Sequence, residues 1–393
     1  MAWFGSGRAL GRPDILYIGY AALLVLAVSS IHLFAPVNII SYERDVWHHM
    51  AVVNELLKSP FHAVNPHVLS DAPSRTFMPW YVLLAILGRA FGLNAQQLLG
   101  VSAAASMIAL MVGIRLFAQA YFRSAWAPFT LLVVTFATWA GHFNHTGYHT
   151  ISTLLFSASY PFGIVFACGF AAWWLVLRAL RAPVLPVLEG ASIILLTAFM
   201  YATHQLQAAF AIGGMMTFSL FHGRHSIARR GQIVAAVAIG LLLCRLWPYF
   251  DPIAYTFSGE NYTYDYKTNL DWTNTWVEWQ ILGLSLLGLG GLYDFRRKHW
   301  RWDLTIAVGA IVAGVVAARV LGLWIGLRFL PFLVLFLQIA LTALVLDVAA
   351  LKPAGSTLRN GRVGAVAYVL CAGSLFNIGL ATNFVVTSEL YLA

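Results

Sequence analysis

The stretch FLPFLVLFLQIALTALVLDVAA, residues 329–350, holds a single charged side chain, Asp347, in a run that water would hardly solvate. It has company: apolar runs recur at 15–34, 96–118, 125–141, 152–178, 185–203, 205–222, 232–248, 275–292, 304–325, 329–350 and 362–385. A run of about 20 such residues matches the hydrocarbon thickness of a bilayer. Their recurrence excludes an aqueous globular fold. Composition agrees, with 60% hydrophobic residues, 10% charged residues and a mean hydropathy of +0.75, against about 25% charged residues in soluble domains. The expected fold is therefore all-α, a polytopic transmembrane helical protein of about eleven spans in one integral membrane domain, 1–393.

The formal charge of +9 is first a statement about topology, because Lys and Arg in short loops mark the cytoplasmic side. It gives no reason to expect a nucleic-acid partner. Cys168, Cys244 and Cys371 all lie in apolar runs, where thiols behave as small hydrophobes. Arg8 and Arg12 precede the first run, which reads as an uncleaved first span with a cytoplasmic N-terminus.

The clusters Arg178/Arg181, Arg224/Arg229/Arg230, Arg296/Arg297/Lys298/Arg301 and Lys352/Arg359/Arg362 all fall inside only if the ambiguous segment 77–93 does not cross. With Pro79 near its start and Arg89 within it, that segment reads as a helix lying at the outer interface. The C-terminus is then outside. The outer face receives 35–76, GHFNHTGYHTI at 141–151, the turn from Thr203 to Gln207 and the loop 249–274. This places the histidine-rich and acidic segments on the external side, which is periplasmic if the membrane is a bacterial inner membrane.

The densest ionisable chemistry follows the first span, in SYERDVWHHMAVVNELL at 41–57. Helical spacing puts Asp45, His48 and His49 on one face, continued by Val52, with Met50, Val53, Leu56 and Leu57 on the other. Asp45 and Glu43 are candidate catalytic carboxylates, Asp45 as general base. The alternative is that both acids cap the helix after Ser41. A third reading is a divalent metal held by Asp45 and one histidine, completed by His142, His145 or His149 from the second external loop; otherwise no cofactor is expected. Arg44, His48, His49, Arg75, His142, His145, His149 and Arg328 are candidate substrate contacts, the cations and imidazoles serving a phosphate. In the loop 249–274, Tyr262 and Tyr264 stand among Asp251, Glu260, Asp265 and Asp271, the mixture of rings and acids that a sugar needs. An interfacial aromatic belt would explain the rings without the acids.

The order of these segments resembles the integral-membrane glycosyltransferases of the GT-C superfamily, especially the protein-mannosyltransferase-like and aminoarabinose-transferase-like branch. A first span leads to the external acidic motif YERDVWHH. A Pro-aromatic segment follows, RTFMPWYVLLAILGRAFGLN, similar to the family's Pro-Pro-Leu-Tyr-Tyr stretch and its closing Phe-Gly. Two further spans lead to a second external loop. The resemblance covers residues 1–180, leaving 181–393 as a variable set of helices. It implies sugar transfer, usually with inversion, from a polyprenyl-phosphate-sugar donor to a lipid-linked, glycan or protein acceptor outside the membrane, and assigns acceptor activation to Asp45. The chain departs from the family in GHFNHTGYHT, which lacks the second acid. A transporter or flippase, a membrane O-acyltransferase using His48 or His49, and a polysaccharide polymerase are the rival readings.

Overall fold

A computed structural model describes residues 10–34, 44–67, 74–139, 150–223, 225–258, 282–299 and 302–350. Its helices in chain order are α1 (Arg12–Phe34), α2 (Arg44–Lys58), α3 (Pro79–Phe91), α4 (Ala95–Tyr121), α5 (Ala127–Ala137), α6 (Ile151–Ser157), α7 (Pro161–Arg181), α8 (Val187–Thr203), α9 (Gln205–Phe221), α10 (Ile227–Leu243), α11 (Pro252–Phe257), α12 (Gly288–His299), α13 (Asp303–Val320) and α14 (Leu330–Ala350). Short 3-10 turns, Cys244–Leu246, Gly283–Leu287 and Trp324–Phe329, lie between some of them. No strand occurs among the described residues.

Among the described residues six helical segments are long and apolar enough to cross a bilayer, namely α1, α4, α7, α10 extended by its 3-10 turn to Leu246, α13 and α14, and α8 and α9 fall just short at 17 residues each. The expectation of about eleven spans is thus carried in part. The run 152–178 is not one helix. It breaks between Ser157 and Pro161 into α6 and α7, because Pro161 cannot donate to the preceding turn and fits the first position of a new helix. The run 125–141 holds an 11-residue helix. Helix α12 starts at Gly288, so Arg296, Arg297 and Lys298 ride on its last turns, and residues 275–281 of the run 275–292 lie outside the described residues. The segment 362–385 lies outside the described residues.

Helix α3, at 13 residues, reaches about 20 Å, short of the roughly 30 Å hydrocarbon core. Gly92, in the left-handed conformation at φ 68°, stops it. Its buried side and that of α2 build a small separate core on the start of α4, from Val52, Val53, Leu56, Tyr81, Leu84 and Leu98. The larger core joins α4, α7, α9 and α14 through Phe117, Phe170, Trp173, Phe218 and Phe336. Helix α12 meets α14 almost backbone to backbone. A Cβ on Gly288 or Gly291 would stand 2.1 or 2.0 Å from the carbonyl oxygens of Leu337 and Ala340, so only glycine permits that approach.

One end of the bundle is built from cation pairs. Arg115 of α4 binds Asp14 of α1 at 2.5 Å, Arg178 binds Glu189 at 2.9 Å, and His222 binds the fully buried Asp303 at 2.7 Å. Arg181 and Arg229 donate to the carbonyls of Ala120 and Ala182. Arg178, Arg181, Arg229 and Arg230, which the positive-inside rule assigns to the cytoplasm, therefore gather at one end with Arg115, and the layer made by α2, α3 and α11 lies at the other.

Candidate functional site

The outer end is assembled from four separate parts of the chain, and α2 supplies the first. Its inward stripe is Val46, His49, Val53 and Leu56, spaced by three and four residues. His49 therefore points into the bundle and packs on Tyr160 at 4.3 Å and Tyr81 at 5.5 Å between ring centroids. His48 turns the other way, exposed, and stacks on His67 at 3.7 Å with the rings 5° from parallel. The expectation that His48, His49 and Asp45 share one face is corrected accordingly: neighbouring residues on a helix stand about 100° apart. Val52 likewise is fully buried in the core shared with α3. The apolar side of α2 thus faces protein instead of resting on lipid headgroups.

Tyr81 comes from α3 and Tyr160 from the break between α6 and α7. A relay fixes their separation: Trp80 Nε1 donates to Ser102 Oγ at 2.8 Å, and that hydroxyl donates to the carbonyl of Ser159 at 2.7 Å. The Tyr81 hydroxyl is fully buried and has no hydrogen-bond partner among the described residues.

The fourth contributor is His204, which caps the start of α9. Its Nδ1 accepts from the Gln207 N–H at 3.3 Å, so the neutral ring carries its proton on Nε2. Burial pushes the His204 pKa down to about 4, with the Arg328 guanidinium adding to the effect. Burial likewise lowers His49 to about 3, helped by the charges of His48, His204 and His67. Both rings are therefore neutral at physiological pH and act as hydrogen-bonding groups. Arg328 lies partly buried on the 3-10 turn before α14.

Asp45, in the first turn of α2, is exposed, and its charge bears on His48 and Tyr81. It makes no hydrogen bond or ion pair with a described residue, whereas Asp14, Glu55, Glu189, Asp251 and Asp303 are each paired. Arg75 lies over the Tyr255 ring at 5.0 Å, and its charge bears on His48. Asp251 accepts from the N–H groups that open α11 and pairs with Arg245 at 2.8 Å, a structural use. Trp247 Nε1 donates to the Phe77 carbonyl at 2.8 Å, and the Tyr249 hydroxyl donates to the Pro60 carbonyl. These bonds tie the segment after α10 down over the α2–α3 layer.

Arg44 opens α2. Glu43, His142, His145, His149, Tyr262 and Tyr264 lie outside the described residues. No group of three or more His, Cys, Asp or Glu side chains among the described residues is placed to hold a metal ion. His204 is the site residue that sequence reasoning missed, although the reading assigned its turn to the external face. Its signal was a single imidazole between two apolar runs.

No protein-family model matches the chain, and no curated protein matches it. Among solved structures it is similar to the Archaeoglobus fulgidus oligosaccharyltransferase in its apo form, at a TM-score of 0.54 and 12% identity, over 97% of this chain and 57% of that one. It also matches the oligosaccharyltransferase AglB of that organism in complex with an inhibitory peptide and a dolichol-phosphate, at a TM-score of 0.45 and 13% identity, over 93% of this chain and 56% of that one. The chain spans a little over half the length of these proteins. The likeness is one of fold: this is a multi-pass membrane protein, all-α among the described residues, whose helical architecture is similar to that of the apo oligosaccharyltransferase.

Proposed function

We propose that the chain is a membrane glycosyltransferase that moves a sugar from a polyprenyl-phosphate donor to an acceptor at the external face of a bacterial inner membrane, with Asp45 as general base. One observation carries this reading. A carboxylate with no hydrogen-bond or ion-pair partner among the described residues bears on a group of aromatic rings and neutral imidazoles, and the Arg328 charge bears on His204 in that group.

The chemistry follows from these groups. Asp45 accepts the acceptor's proton as the acceptor atom bonds to the anomeric carbon. The bond from that carbon to the phosphate oxygen breaks, and the electron pair leaves with the polyprenyl phosphate. Arg328 and the Nε2–H of His204 hold the departing charge, in a site where burial strengthens both interactions. The rings of Tyr81 and Tyr160 offer faces for the sugar's C–H surface. An apolar cleft of about 450 Å³ between the 3-10 turn at 283–287, α13 and α14, lined by Leu286, Val312, Val316, Leu333 and Leu337, suits a polyprenyl tail.

The acyltransferase reading needs a histidine that takes up a proton, and a His49 pKa of about 3 makes that ring a poor base near neutrality. A transporter needs polar groups along a midplane path. Gln338, fully buried within α14, instead donates to the Thr135 carbonyl and Thr138 hydroxyl as an interhelical clamp.

The test is a proteoliposome assay offering polyprenyl-phosphate sugars and scoring polyprenyl-phosphate release, with Asp45→Asn beside the wild type. The variant is expected to lose at least 100-fold, the lower end of a general base's contribution. Undiminished activity in Asp45→Asn sinks the assignment of the base, and solute movement without covalent change favours a transporter.

A further inference from the structure

The end of the bundle opposite this site carries a second group of side chains that sugar transfer does not use. Helix α9 ends at Phe221, the chain turns through His222 and Gly223, and α10 begins after its cap, Ser226, with Arg229 and Arg230 in its first turn. Arg181 closes α7 beside them. The rings of His222 and His225 lie 6.3 Å apart and 8° from parallel. His225 is held below its ordinary pKa by burial first, then by the charges of His222, Arg230, Arg181 and Arg229. Among the described residues Arg181, Arg229 and Arg230 make no ion pair with a carboxylate, and Asp303 is engaged with His222 Nδ1 at 2.7 Å.

Arg229 is 2% exposed. Its Nη2 donates to the Ala182 carbonyl at 2.6 Å, while Nε and Nη1 are buried with no acceptor among the described residues. Arg230 donates through Nη2 to the Gly223 carbonyl at 2.8 Å, and its Nε is likewise buried without an acceptor. A guanidinium that gives up water without gaining an anion is costly. Three guanidinium nitrogens on two adjacent arginines, bearing four N–H groups without an acceptor among the described residues, together with an imidazole and the start of a 17-residue helix, exceed what the two oxygens of a carboxylate would satisfy. They match a phosphate, which offers more acceptors and more charge.

We infer that Arg229, Arg230 and His225 form a binding site for a phosphate group at the basic end of the bundle, separate from the proposed transfer site. That end is cytoplasmic by the positive-inside rule. The phosphate is supplied either by an anionic phospholipid headgroup of the inner leaflet or by free inorganic phosphate.

The experiment uses the full chain, delipidated in detergent. It is titrated with phosphatidylglycerol, phosphatidylcholine and inorganic phosphate, and read by native mass spectrometry and thermal unfolding. The wild type should bind phosphatidylglycerol over phosphatidylcholine, or be stabilised by inorganic phosphate. The first result assigns the lipid source and the second the free anion. Arg230→Gln, a half-buried position, should weaken that binding about tenfold. Arg123→Gln, an exposed arginine after α4 and outside the cluster, should leave it unchanged. Arg229→Gln sharpens the comparison where it folds. Equal losses in Arg230→Gln and Arg123→Gln, or no preference for either phosphate ligand over phosphatidylcholine, overturn the site. Transfer activity plays no part in the readout, so the proposed enzymatic function and this site stand or fall separately.

Discussion

His49 makes the outer site a pH-dependent element of stability. Its folded-state pKa of about 3 lies below the roughly 6.5 of a free imidazole. As the pH falls through about 6.5 the unfolded chain takes up a proton that the folded chain refuses, so stability must fall with it. The contribution is intact above about pH 7, is lost progressively below about 6.5, and stops changing once the folded ring itself titrates near pH 3. Going from about pH 7.5 to about pH 5 crosses roughly 1.5 units below the unfolded pKa, which at about 1.36 kcal/mol per unit is a loss of about 2 kcal/mol. The figure depends little on the folded value, because any pKa below about 4.5 leaves the folded ring neutral over this window. Reversible unfolding in mixed detergent micelles, followed by circular dichroism, measures it. His49→Gln removes the proton site while keeping a polar neutral side chain. Its unfolding free energy should fall by about 2 kcal/mol less than the wild type's between the two pH values, whatever the constant offset from losing the ring contact with Tyr160. Parallel pH profiles for the two proteins would refute the claim that His49 is held neutral by the fold.

Three other perturbations separate packing from chemistry. Tyr81→Phe removes a buried hydroxyl that has no partner among the described residues, so the variant should be as stable as the wild type or up to about 1 kcal/mol more stable, measured by the same unfolding assay. Gly291→Ala puts a Cβ 2.0 Å from the Ala340 carbonyl oxygen. It should cost about 1–3 kcal/mol and lower the melting temperature, while Gly213→Ala, with open space around it, should not. Arg328→Lys keeps the charge and loses the planar fork, so the KM for the polyprenyl-phosphate donor should rise about tenfold with a smaller change in kcat; a shift in melting temperature with unchanged KM would assign Arg328 a structural role.

Much of the fold is legible in the sequence because apolar length is a local property. The runs at 96–118, 304–325 and 329–350 become α4, α13 and α14 with modest changes of boundary. The helix at 77–93 stays out of the set of long spans because Pro79 and Gly92 bound it. The break before Pro161 was less visible, since the residues around it are apolar and only the bias of Tyr160 away from helical backbone marks it. The site is harder to read. The inward stripe Val46, His49, Val53, Leu56 has helical spacing, and the roughly 100° step between neighbouring residues sends His48 and His49 to different faces, which the pattern of paired histidines hides. His204 carries no local motif at all. Its partners lie on α2 and on the turn before α14, a juxtaposition that only the closed bundle creates.

The two ends of the bundle treat carboxylates differently, and that difference explains why Asp45 is a sharp test. At the basic end Asp14 and Glu189 each bind an arginine and Asp303 binds the His222 imidazole, so neutralising either of the first two leaves a guanidinium without its partner. Asp45 makes no hydrogen bond or ion pair with a described residue. It is exposed in the first turn of α2, where water and the helix dipole stabilise it by about half a kcal/mol. Asp45→Asn keeps the shape and should therefore leave the melting temperature nearly unchanged. A capping role predicts the same small change with full activity; a catalytic role predicts it with activity lost. Because the bland and the catalytic readings agree on stability and part only on turnover, a folded, inactive Asp45→Asn protein could not be explained by damage to the fold.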